Sequence, residues 1–572
     1  MKALKKEKTK KVKEEDSPKV QSIKFNILAV VCIILFCVTL APVTLQNDTF
    51  YTIRIGEHIL QTKTVDMQEP FSWHQGLPYT YPHWLYDVMI YLFFYIGGMK
   101  GIFISTVAFS AILGVVVYFT NKKISKNSLM SFLITLGTMF LIKDFIAARA
   151  QLVSFILLEL IVLLIEEFLE KKKKRYAIGI ILIAILIANI HAAIWPFIFI
   201  LFLPYIGEYI LSFDYIGIYF KIVEKSYNKR LKKYEKKEKN EKIDTKISKL
   251  KIKISDLIHK KNEVIEKSKN RRKNPYKLRM VKEPAAKWLI LLMVILVFTG
   301  LLTPIGDTPY TWTYNTMRGN TTQHINEHQP LTLIDNKAML VVLAFVLAIL
   351  IFTDVKIRLR DLFFVGGLFI LMLMSRRQES MFLLFGSGVL ARLISEIVEK
   401  YDKEGTKEFI KLMTSTLGTI ATVLAIALLM IMQIKGKTKD KFIDAKAYPV
   451  DAAAYIKENI DLSAMRLYNE YNYGSYLLYE GIPVFIDSRA DLYTPEFNKT
   501  EEYPDGRDIF SDYIRTSNVL RYYEDTFEKY DITHIILYKR AKLTMLLEKD
   551  TSGKYNRLYV DDNFVVYERN KV

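Results

Sequence analysis

The apolar residues of this chain are concentrated in long runs, and the stretches between the runs are polar and rich in lysine. The runs are roughly 15 to 22 residues long, close to the length that a helix needs to cross a bilayer core. A soluble chain of 572 residues would instead disperse its apolar positions over several domains. The pattern predicts a mainly α-helical, polytopic membrane protein. The runs lie near residues 25–44, 84–98, 101–120, 128–142, 150–168, 176–190, 193–212, 287–304, 337–354, 361–375, 380–398 and 411–433.

The first run, about Phe25 to Thr44, follows a lysine-rich N-terminus, as the apolar part of a signal peptide would. It is long for such a segment, and no A-x-A-type cleavage site is evident. We therefore expect an uncleaved span. Cys32 and Cys37, the two cysteines, both fall in this run, so beyond that one local pair the sequence offers no disulfide framework and no cysteine-based metal site.

The net charge of +20 orients the chain. Lysine and arginine clusters border the apolar runs and fill one long loop, as the positive-inside rule requires of cytoplasmic segments, so we expect no nucleic-acid partner. All the basic clusters lie on the cytoplasmic side only if the run 84–98 does not cross the membrane. We therefore expect His83–Gly98 to be an interfacial or re-entrant helix on the outer face. About eleven transmembrane helices remain. They place the protein in the plasma membrane with a cytoplasmic N-terminus and an extracytoplasmic C-terminal domain.

The loop of residues 219–286 is a basic cytoplasmic insertion with a helical pattern. Its apolar residues recur at spacings of four and three, which predicts a helical hairpin with a short apolar seam. The hairpin either docks on anionic lipid or is a solvated insertion with no specific partner. The seam residues are Ile243, Ile247, Leu250, Ile254 and Leu257.

The remaining segments complete the predicted organisation. The last portion has the composition of a soluble α/β domain, with a helix over Pro449–Asn459, strands over Thr533–Tyr538 and Asn563–Glu568, and a hairpin turn at Val560–Asn563. The predicted segments are a basic tail 1–24, a membrane module 25–218 with a first outer loop 45–100, the insertion 219–286, further membrane helices 287–435 with an outer loop 304–336, and the C-terminal domain 436–572.

Charged and polar residues that could carry chemistry gather on the predicted outer face. Ionised groups inside or beside spans are costly, so they usually face a cavity or a partner. Carboxylates and guanidinium groups from separate spans suit a phosphate-bearing lipid substrate, because arginine binds phosphate with a bidentate fork. The arginines could instead snorkel at the interface, and the other residues could cap helices or solvate loops. The set is Asp48, Arg149, Asn189, His191, Glu327, His328, Arg376, Arg377 and Glu379.

The first outer loop carries a longer motif: Asp48-Thr-Phe-Tyr, Gly56-Glu57-His58-Ile-Leu, Pro70-Phe-Ser, Gly76, His83-Trp84-Leu and Gly97-Gly98. It resembles the first outer loop of the GT-C superfamily of membrane glycosyltransferases. In that family an acidic residue follows the first span, and a helix lies along the membrane before the second. Three further stretches look like landmarks of a bacterial branch: Ala148-Arg149-Ala150-Gln-Leu, Ala188-Asn189-Ile-His191 and Glu327-His328-Gln-Pro330. Ala150 departs from the proline that is common there.

The resemblance implies transfer of a sugar from a polyprenyl-phosphate donor, with inversion at the anomeric carbon. Asp48 would act as the base toward an acceptor hydroxyl or help to bind a divalent metal. Glu57 and His83, in the same motif, complete the catalytic candidates. Arg149 or Arg377 would hold the phosphate, together with His191, Glu327, His328 and Arg376 as further substrate-binding candidates. The implied partners are membrane lipids, the lipid-linked donor and an acceptor that is a glycan, protein or lipid.

A second motif lies in the C-terminal portion. Asn469-Glu-Tyr-Asn-Tyr-Gly474-Ser-Tyr-Leu is followed by Val484-Phe-Ile-Asp487-Ser-Arg489-Ala-Asp491. It resembles the tryptophan- and aspartate-containing signature of oligosaccharyltransferases, although tyrosine and asparagine replace the signature residues here, so its acceptor-binding role is not carried over. The structural alternative is a strand–turn–strand core with Gly474 at the turn.

Two other functions remain open. A lipid-linked glycan transporter or an envelope-assembly protein would also explain charges near the membrane face, but a transporter needs polar residues near the middle of its spans. Most of the runs here have apolar middles, which favours an enzyme with a one-sided site. An oligosaccharyltransferase- or ligase-like enzyme would move a whole glycan instead of one sugar.

Overall fold

The computed structural model describes residues 18–213, 215–236, 241–272, 277–319, 321–334 and 336–570. The first 17 residues of the predicted basic tail lie outside this range. Helices account for 69 % of the structure. The helices are α1 (Pro18–Val38), α2 (Asn47–Thr62), α3 (Trp84–Ser125), α4 (Ser128–Leu141), α5 (Ala150–Lys171), α6 (Lys174–Ile190), α7 (Phe197–Leu211), α8 (Tyr215–Glu235), α9 (Glu241–Arg272), α10 (Lys287–Val297), α11 (Thr308–Arg318), α12 (Thr321–His324), α13 (Lys337–Phe352), α14 (Leu359–Met374), α15 (Glu379–Tyr401), α16 (Lys403–Thr414), α17 (Thr416–Lys435), α18 (Val450–Asn459), α19 (Tyr471–Tyr479), α20 (Ile509–Ser517), α21 (Tyr523–Lys529) and α22 (Lys542–Leu547). The strands are β1 (Leu278–Arg279), β2 (Ile357–Arg358), β3 (Leu467–Tyr468), β4 (His534–Tyr538), β5 (Tyr555–Val560) and β6 (Phe564–Arg569).

Within the described residues, six helices are long enough and apolar enough to cross a membrane, as expected of a membrane protein. The predicted count of eleven is not confirmed. Several predicted runs form helices of only 14 to 17 residues, including α4, α6 and α13, whereas a span needs about 20 residues. The six candidate spans are Lys19–Val38, Trp84–Ser125, Ala192–Leu211, Pro284–Leu301, Arg376–Tyr401 and Thr416–Lys435.

A break at Gly98 divides α3 into two helical segments. Gly98 has φ 58° and ψ −147°, a backbone conformation that glycine adopts without steric cost and other residues avoid. The two segments correspond to the predicted runs 84–98 and 101–120. The interfacial position of the first segment stays a prediction.

The chain forms two compact units. The larger unit comprises the described residues of Met1–Leu201, Leu291–Thr353 and Phe364–Val572, and its helical core is built around α3, which packs on α1, α2, α4, α5 and α15. The smaller unit comprises Phe202–Ile290 and Asp354–Phe363.

The smaller unit contains the predicted basic hairpin, formed by α8 and α9. All five predicted seam residues of α9 are half-buried, whereas most of the lysines between them are exposed. The same unit pairs β1 with β2 in parallel, and the buried Glu208 carboxylate accepts a hydrogen bond of 3.0 Å from the backbone nitrogen of Val281.

The C-terminal portion contains a four-stranded sheet in the order β3-β4-β6-β5. β3 is parallel to β4, and the other pairs are antiparallel. The predicted helix and both predicted strands are present to within one residue, and Asp561 closes the β5–β6 turn by accepting from the backbone nitrogens of Asn563 and Phe564. This sheet belongs to the same compact unit as the α3 core.

The strand–turn–strand interpretation of the Gly474 motif is wrong. Gly474 lies inside α19, where a Cβ atom would collide with the carbonyl oxygen of Ile486. The glycine is therefore required by close packing of a helix on the following segment, and no turn is involved. Asn469 reinforces the same contact, since its Nδ2 donates to the Ile486 oxygen at 2.7 Å.

Candidate functional site

A cavity of about 960 Å³ lies in the larger unit and collects most of the predicted site residues. Its walls come from α2, the residues just before α3, the start of α5, the turn after α6, parts of α11 and α12 with the turn that follows, the end of α14 with the turn before α15, and the C-terminal segments 471–492 and 510–514. Seven of the eleven predicted residues line it: Asp48, His83, Arg149, His191, Glu327, His328 and Arg377.

Four predicted site residues do not line the cavity. Asn189 accepts from Trp84 Nε1 at 3.2 Å, and Glu379 accepts from Asn336 Nδ2 at 2.6 Å. Glu57 forms an ion pair with Arg54, three residues earlier on α2. Arg376 donates to Asn326 Oδ1 at 3.0 Å and to the Pro330 carbonyl oxygen at 3.4 Å, so it braces the neighbouring loop. Sequence spacing did not separate Arg376 from Arg377, because a one-residue difference in a 3₁₀ turn points the two side chains in different directions.

Arg149 joins two carboxylates from distant parts of the chain. Its Nε donates to Asp48 Oδ2 at 2.6 Å, its Nη2 donates to the same oxygen, and its Nη1 donates to Glu327 Oε1 at 2.9 Å. Asp48 lies in the first turn of α2, and Arg149 immediately precedes α5. Burial alone would lower the pKa of Arg149, but the two carboxylates reverse this and raise it. The guanidinium is thus fully neutralised by the protein.

Arg377 lies in different surroundings from Arg149. Its side chain is half-buried and lines the cavity, and among the described residues it makes no side-chain hydrogen bond or salt bridge. Burial raises the pKa of Glu327, but the charges of Arg149 and Arg377 lower it more, so this carboxylate stays ionised. Burial and then the charge of Arg377 lower the pKa of His328 to about 4, so its ring is neutral at pH 7.

His83 is held in a chain of hydrogen bonds. Its Nδ1 lies 2.7 Å from Asp87 Oδ1, and its Nε2 lies 3.1 Å from the Tyr51 hydroxyl. Asp87 is fully buried, and its carboxylate accepts hydrogen bonds. With the ionised Asp87 carboxylate as acceptor, Nδ1 carries the proton and Nε2 accepts from the Tyr51 hydroxyl. Sequence reasoning missed Asp87, although its i,i+4 spacing from His83 on a helix was available as a signal.

His191 is oriented differently. The Ser154 hydroxyl donates to the Ala150 carbonyl at 2.8 Å, so its oxygen accepts from His191 Nδ1, also at 2.8 Å. Burial, and after it the charge of Arg377, hold the pKa of His191 well below its usual value. His191 is therefore a neutral polar wall of the cavity.

The C-terminal portion supplies one wall of the cavity. The Asp491 carboxylate accepts from Thr316 at 3.3 Å and from Thr321 at 3.2 Å, and burial raises its pKa to about 6. Sequence reasoning quoted Asp491 in a motif but gave it no role. Further lining residues from this portion are Tyr471, Asn472, Ser488, Arg489, Phe510 and Tyr513.

The loop between α2 and α3, which the sequence predicts to be the first outer loop, is anchored in the C-terminal portion. The Trp73 Nε1 donates to the Leu467 carbonyl at 2.9 Å, and the His74 ring bonds the Phe485 carbonyl at 2.8 Å. Nearby, Arg489 bonds both Asp487 and Glu69, and all three side chains are at most 2 % exposed. We call these contacts of Glu69, Trp73 and His74 the loop anchor.

The donor atoms of the cavity do not fit a divalent metal. Asp48 and Glu327 both direct oxygen atoms at Arg149, so a cation of the protein already occupies the place between them. Across the ranges that the structure describes, no three His, Cys, Asp or Glu side chains are grouped as metal ligands would be. The metal-binding role that the resemblance implies for Asp48 therefore finds no support in its contacts.

Comparison with known proteins gives no assignment: no protein-family model matches the chain, and no curated protein is significantly similar to it. The conclusion about function therefore depends on the site itself.

Proposed function

We propose that this chain is an integral membrane glycosyltransferase that moves a sugar from a polyprenyl-phosphate donor to an acceptor on the outer face of the membrane. The observation that carries the proposal is the cavity in which Arg377, unpaired among the described residues, lies with Asp48, Arg149 and Glu327. A cavity that combines an available cation, carboxylates and a histidine suits transfer from a phosphate leaving group.

Arg377 is the residue that we assign to the donor phosphate. An arginine already bonded by two carboxylates gains little from a third anion, whereas an unpaired guanidinium beside neutral histidines attracts one. When the bond from the anomeric carbon to the phosphate oxygen breaks, the electron pair stays on the phosphate. Arg377 would stabilise that growing negative charge. Arg149 would instead fix Asp48 and Glu327 in place.

The apolar surface of the larger unit fits the lipid part of the donor. Several apolar helices of the larger unit expose their side chains, among them α13 and α17, whose Phe352 and Leu417 are 85 % and 81 % exposed. In water such surfaces would be costly, and in a bilayer they contact acyl and prenyl chains. We propose a multi-pass topology in the plasma membrane, with the N-terminus cytoplasmic and the cavity and residues 436–572 outside.

Transfer of a whole glycan is the second candidate function. The cavity is at the upper end of the size range of small-molecule sites, which extends to about 1,000 Å³. Its C-terminal wall adds aromatic and polar groups beyond those that surround Arg377. A donor that carries several sugars would use that wall.

The test is a transfer assay with the full-length protein in lipid nanodiscs. Short-chain polyprenyl-phosphate sugars are supplied with a membrane extract as acceptor source, and sugar transfer and released polyprenyl phosphate are both measured. Wild type should transfer, and Arg377→Gln should lose about 10²-fold or more in kcat/KM. The matched control is Arg318→Gln, which removes an exposed arginine at the end of α11 that does not line the cavity and should stay within about twofold. A folded wild type without transfer from any donor, single-sugar or glycan, would refute the proposal.

A further inference from the structure

The glycosyltransferase proposal leaves one step without an assigned group: the removal of the proton from the acceptor hydroxyl. Asp48 is the residue that the family resemblance implies for this step. Its Oδ2 atom, however, accepts from both Nε and Nη2 of Arg149. A carboxylate oxygen engaged by two guanidinium hydrogen bonds is a weak proton acceptor, because protonation would break the ion pair.

The cavity offers four histidines, and among the described residues only one of them has a carboxylate bonded to its ring. His191 is bonded at Nδ1 by the Ser154 hydroxyl, and burial and Arg377 disfavour its charged form. His328 is disfavoured as a cation by the same two causes. The ring of His324 packs near Phe510, with 6.2 Å between centroids. His83, by contrast, directs its Nδ1 proton at Asp87 over 2.7 Å.

The Asp87 carboxylate is placed to support a proton on His83. It is 0 % exposed, and the imidazole it contacts is 13 % exposed and lines the cavity. A buried carboxylate on Nδ1 fixes the ring orientation and tautomer and stabilises the imidazolium that forms when Nε2 gains a proton. This is the arrangement expected of an oriented general base.

The Tyr51 hydroxyl connects His83 to the cavity. It lies 3.1 Å from Nε2, and the two rings stack with centroids 5.7 Å apart. Both residues line the cavity. Tyr51 follows Asp48 on α2 by three residues, so both side chains share one face of this helix.

We infer that His83 is the general base of the proposed transfer, that Tyr51 relays the proton to it, and that Asp87 positions its ring. The acceptor hydroxyl gives its proton to the Tyr51 oxygen as Tyr51 gives its own proton to His83 Nε2. The acceptor oxygen forms the bond to the anomeric carbon, and the bond from that carbon to the phosphate oxygen breaks. The electron pair leaves with the phosphate beside Arg377. This inference rests on the proposed function.

The positions of the charged groups explain why His83 is assigned as the base and His191 and His328 are not. Arg377 disfavours protonation of His191 and His328, so the histidines it faces stay neutral around the leaving group. His83 faces Tyr51 from α2, Tyr86 and Asp87 from α3, and the His191 ring at 6.4 Å. Asp87 is the acidic residue of this group and is also acted on by Thr52 and by the charge of Arg489, whereas the charge of Arg149 acts on Tyr51 and His191.

The experiment measures kcat, KM and the pH profile of transfer in nanodiscs for wild type, His83→Gln, Asp87→Asn, Asp87→Glu and Tyr51→Phe. His83→Gln should lose about 10²–10⁴-fold in kcat with little change in KM for the donor, and Tyr51→Phe should lose about 10-fold or more. Asp87→Asn should also lower kcat, and Asp87→Glu should recover part of the loss. The matched control is His58→Gln, which removes a histidine whose carboxylate partner, Asp66, lies outside the cavity lining.

The pH profile separates positioning from simple structural support. The base must be neutral to accept a proton, so kcat/KM falls at low pH as the imidazole becomes protonated. The Asp87 carboxylate stabilises the imidazolium, and its loss makes this protonation harder. Asp87→Asn should therefore move the acidic limb to lower pH while the plateau falls, and a purely structural defect would lower the plateau alone.

The results distinguish failure of the proposed glycosyltransferase function from failure of the inference about His83. If wild type transfers sugar and His83→Gln stays within threefold, the general base lies elsewhere, and only the inference is overturned. If folded wild type transfers nothing, the proposed function fails and the inference with it. If a variant of His83 or Asp87 does not fold, Tyr51→Phe still tests the inference, because it deletes only one hydroxyl oxygen. An unchanged kcat in this variant would show that Tyr51 does not relay the proton.

Discussion

At the scale of single residues, the cavity distinguishes two arginines that look alike in sequence. Arg149 is saturated by Asp48 and Glu327, whereas Arg377 has no hydrogen-bond or ion-pair partner among the residues described. Arg149 therefore has a structural role, and Arg377 is available to bind a ligand. This difference is visible only when residues 48, 149 and 327 are brought together, since 101 and 178 positions separate Arg149 from its two partners.

Asp48→Asn should abolish most transfer while expression and membrane insertion remain normal. The substitution removes the anion that holds Arg149, which is then free to swing toward the phosphate or to rest on Glu327 alone. We expect a loss of about 10²-fold in kcat/KM, measured in the nanodisc assay. The control is the amount of full-length protein in the membrane fraction, and unchanged transfer would remove Asp48 from the mechanism.

Asp491 should give the protein a pH-dependent stability. Burial raises its pKa to about 6, so the folded state binds its proton more tightly than the unfolded chain, whose carboxyl titrates near pH 4. Stability is therefore lost as pH rises from about 4 through 6 and is level above that. Asp491→Asn, which cannot ionise, should gain in unfolding temperature relative to wild type at pH 7.5 and show little difference at pH 4. An equal difference at both pH values would contradict the assignment.

At the scale of elements, the loop anchor ties the first outer loop to the C-terminal portion. Trp73 and His74 insert beside Phe485, and Arg489 neutralises Glu69 and Asp487 in a nearly water-free setting. α2, which carries Asp48, and α3, which His83 directly precedes, flank this loop. The C-terminal portion therefore supports the loop between α2 and α3 as well as forming a wall of the cavity.

Arg489→Met should destabilise the protein strongly, because it leaves two buried carboxylates without their cation. Breaking a buried pair costs about 3–5 kcal/mol. The control is Lys403→Met, whose ion pair with Glu399 is more than half exposed and should matter by less than about 1 kcal/mol. Thermal unfolding of the purified variants gives the comparison, and equal losses would contradict the anchor.

Much of the element scale could be read from sequence, and the site could be read only in part. Periodicity predicted the α8–α9 hairpin and its five seam residues, and residue content predicted the helix and two strands of the C-terminal portion. The number of transmembrane helices could not be predicted from the sequence in the same way, because an apolar run does not fix the length of the helix that it forms. The helices α4 and α13, for example, have only 14 and 16 residues. The turn predicted at Gly474 was wrong because glycine also occurs where two segments pack closely, as it does here within α19. Six site residues were found from their predicted shared side, and His83 was found from the loop motif. Asp87 was missed despite its i,i+4 spacing from His83, and Arg489 has a partner, Glu69, that lies far away in the chain.

At the scale of the whole molecule, the charge pattern predicts on which side of the membrane each part of the chain lies. The basic hairpin should be cytoplasmic, and the C-terminal portion with the cavity should be outside. Both are exposed to solvent over part of their surface, so chemical labelling can reach them.

Labelling of single cysteines tests this topology. Cys32 and Cys37, the natural thiols, are buried and can be replaced by alanine to give a cysteine-free background. Lys251→Cys on α9 should react with an impermeant maleimide only after the membrane is opened, and Lys549→Cys should react in intact cells. Reaction of Lys251→Cys in intact cells would overturn the orientation.

The most direct measurement is the stoichiometry of the transfer reaction catalysed by the wild-type chain in nanodiscs. A radiolabelled short-chain polyprenyl-phosphate sugar is supplied, and the labelled glycoside and the released polyprenyl phosphate are both counted. We expect one polyprenyl phosphate released per sugar transferred, with inverted anomeric configuration in the product and loss of both signals in Arg377→Gln. Intact donor with a folded protein, or donor that crosses a vesicle bilayer without being cleaved, would contradict the glycosyltransferase and favour a transporter.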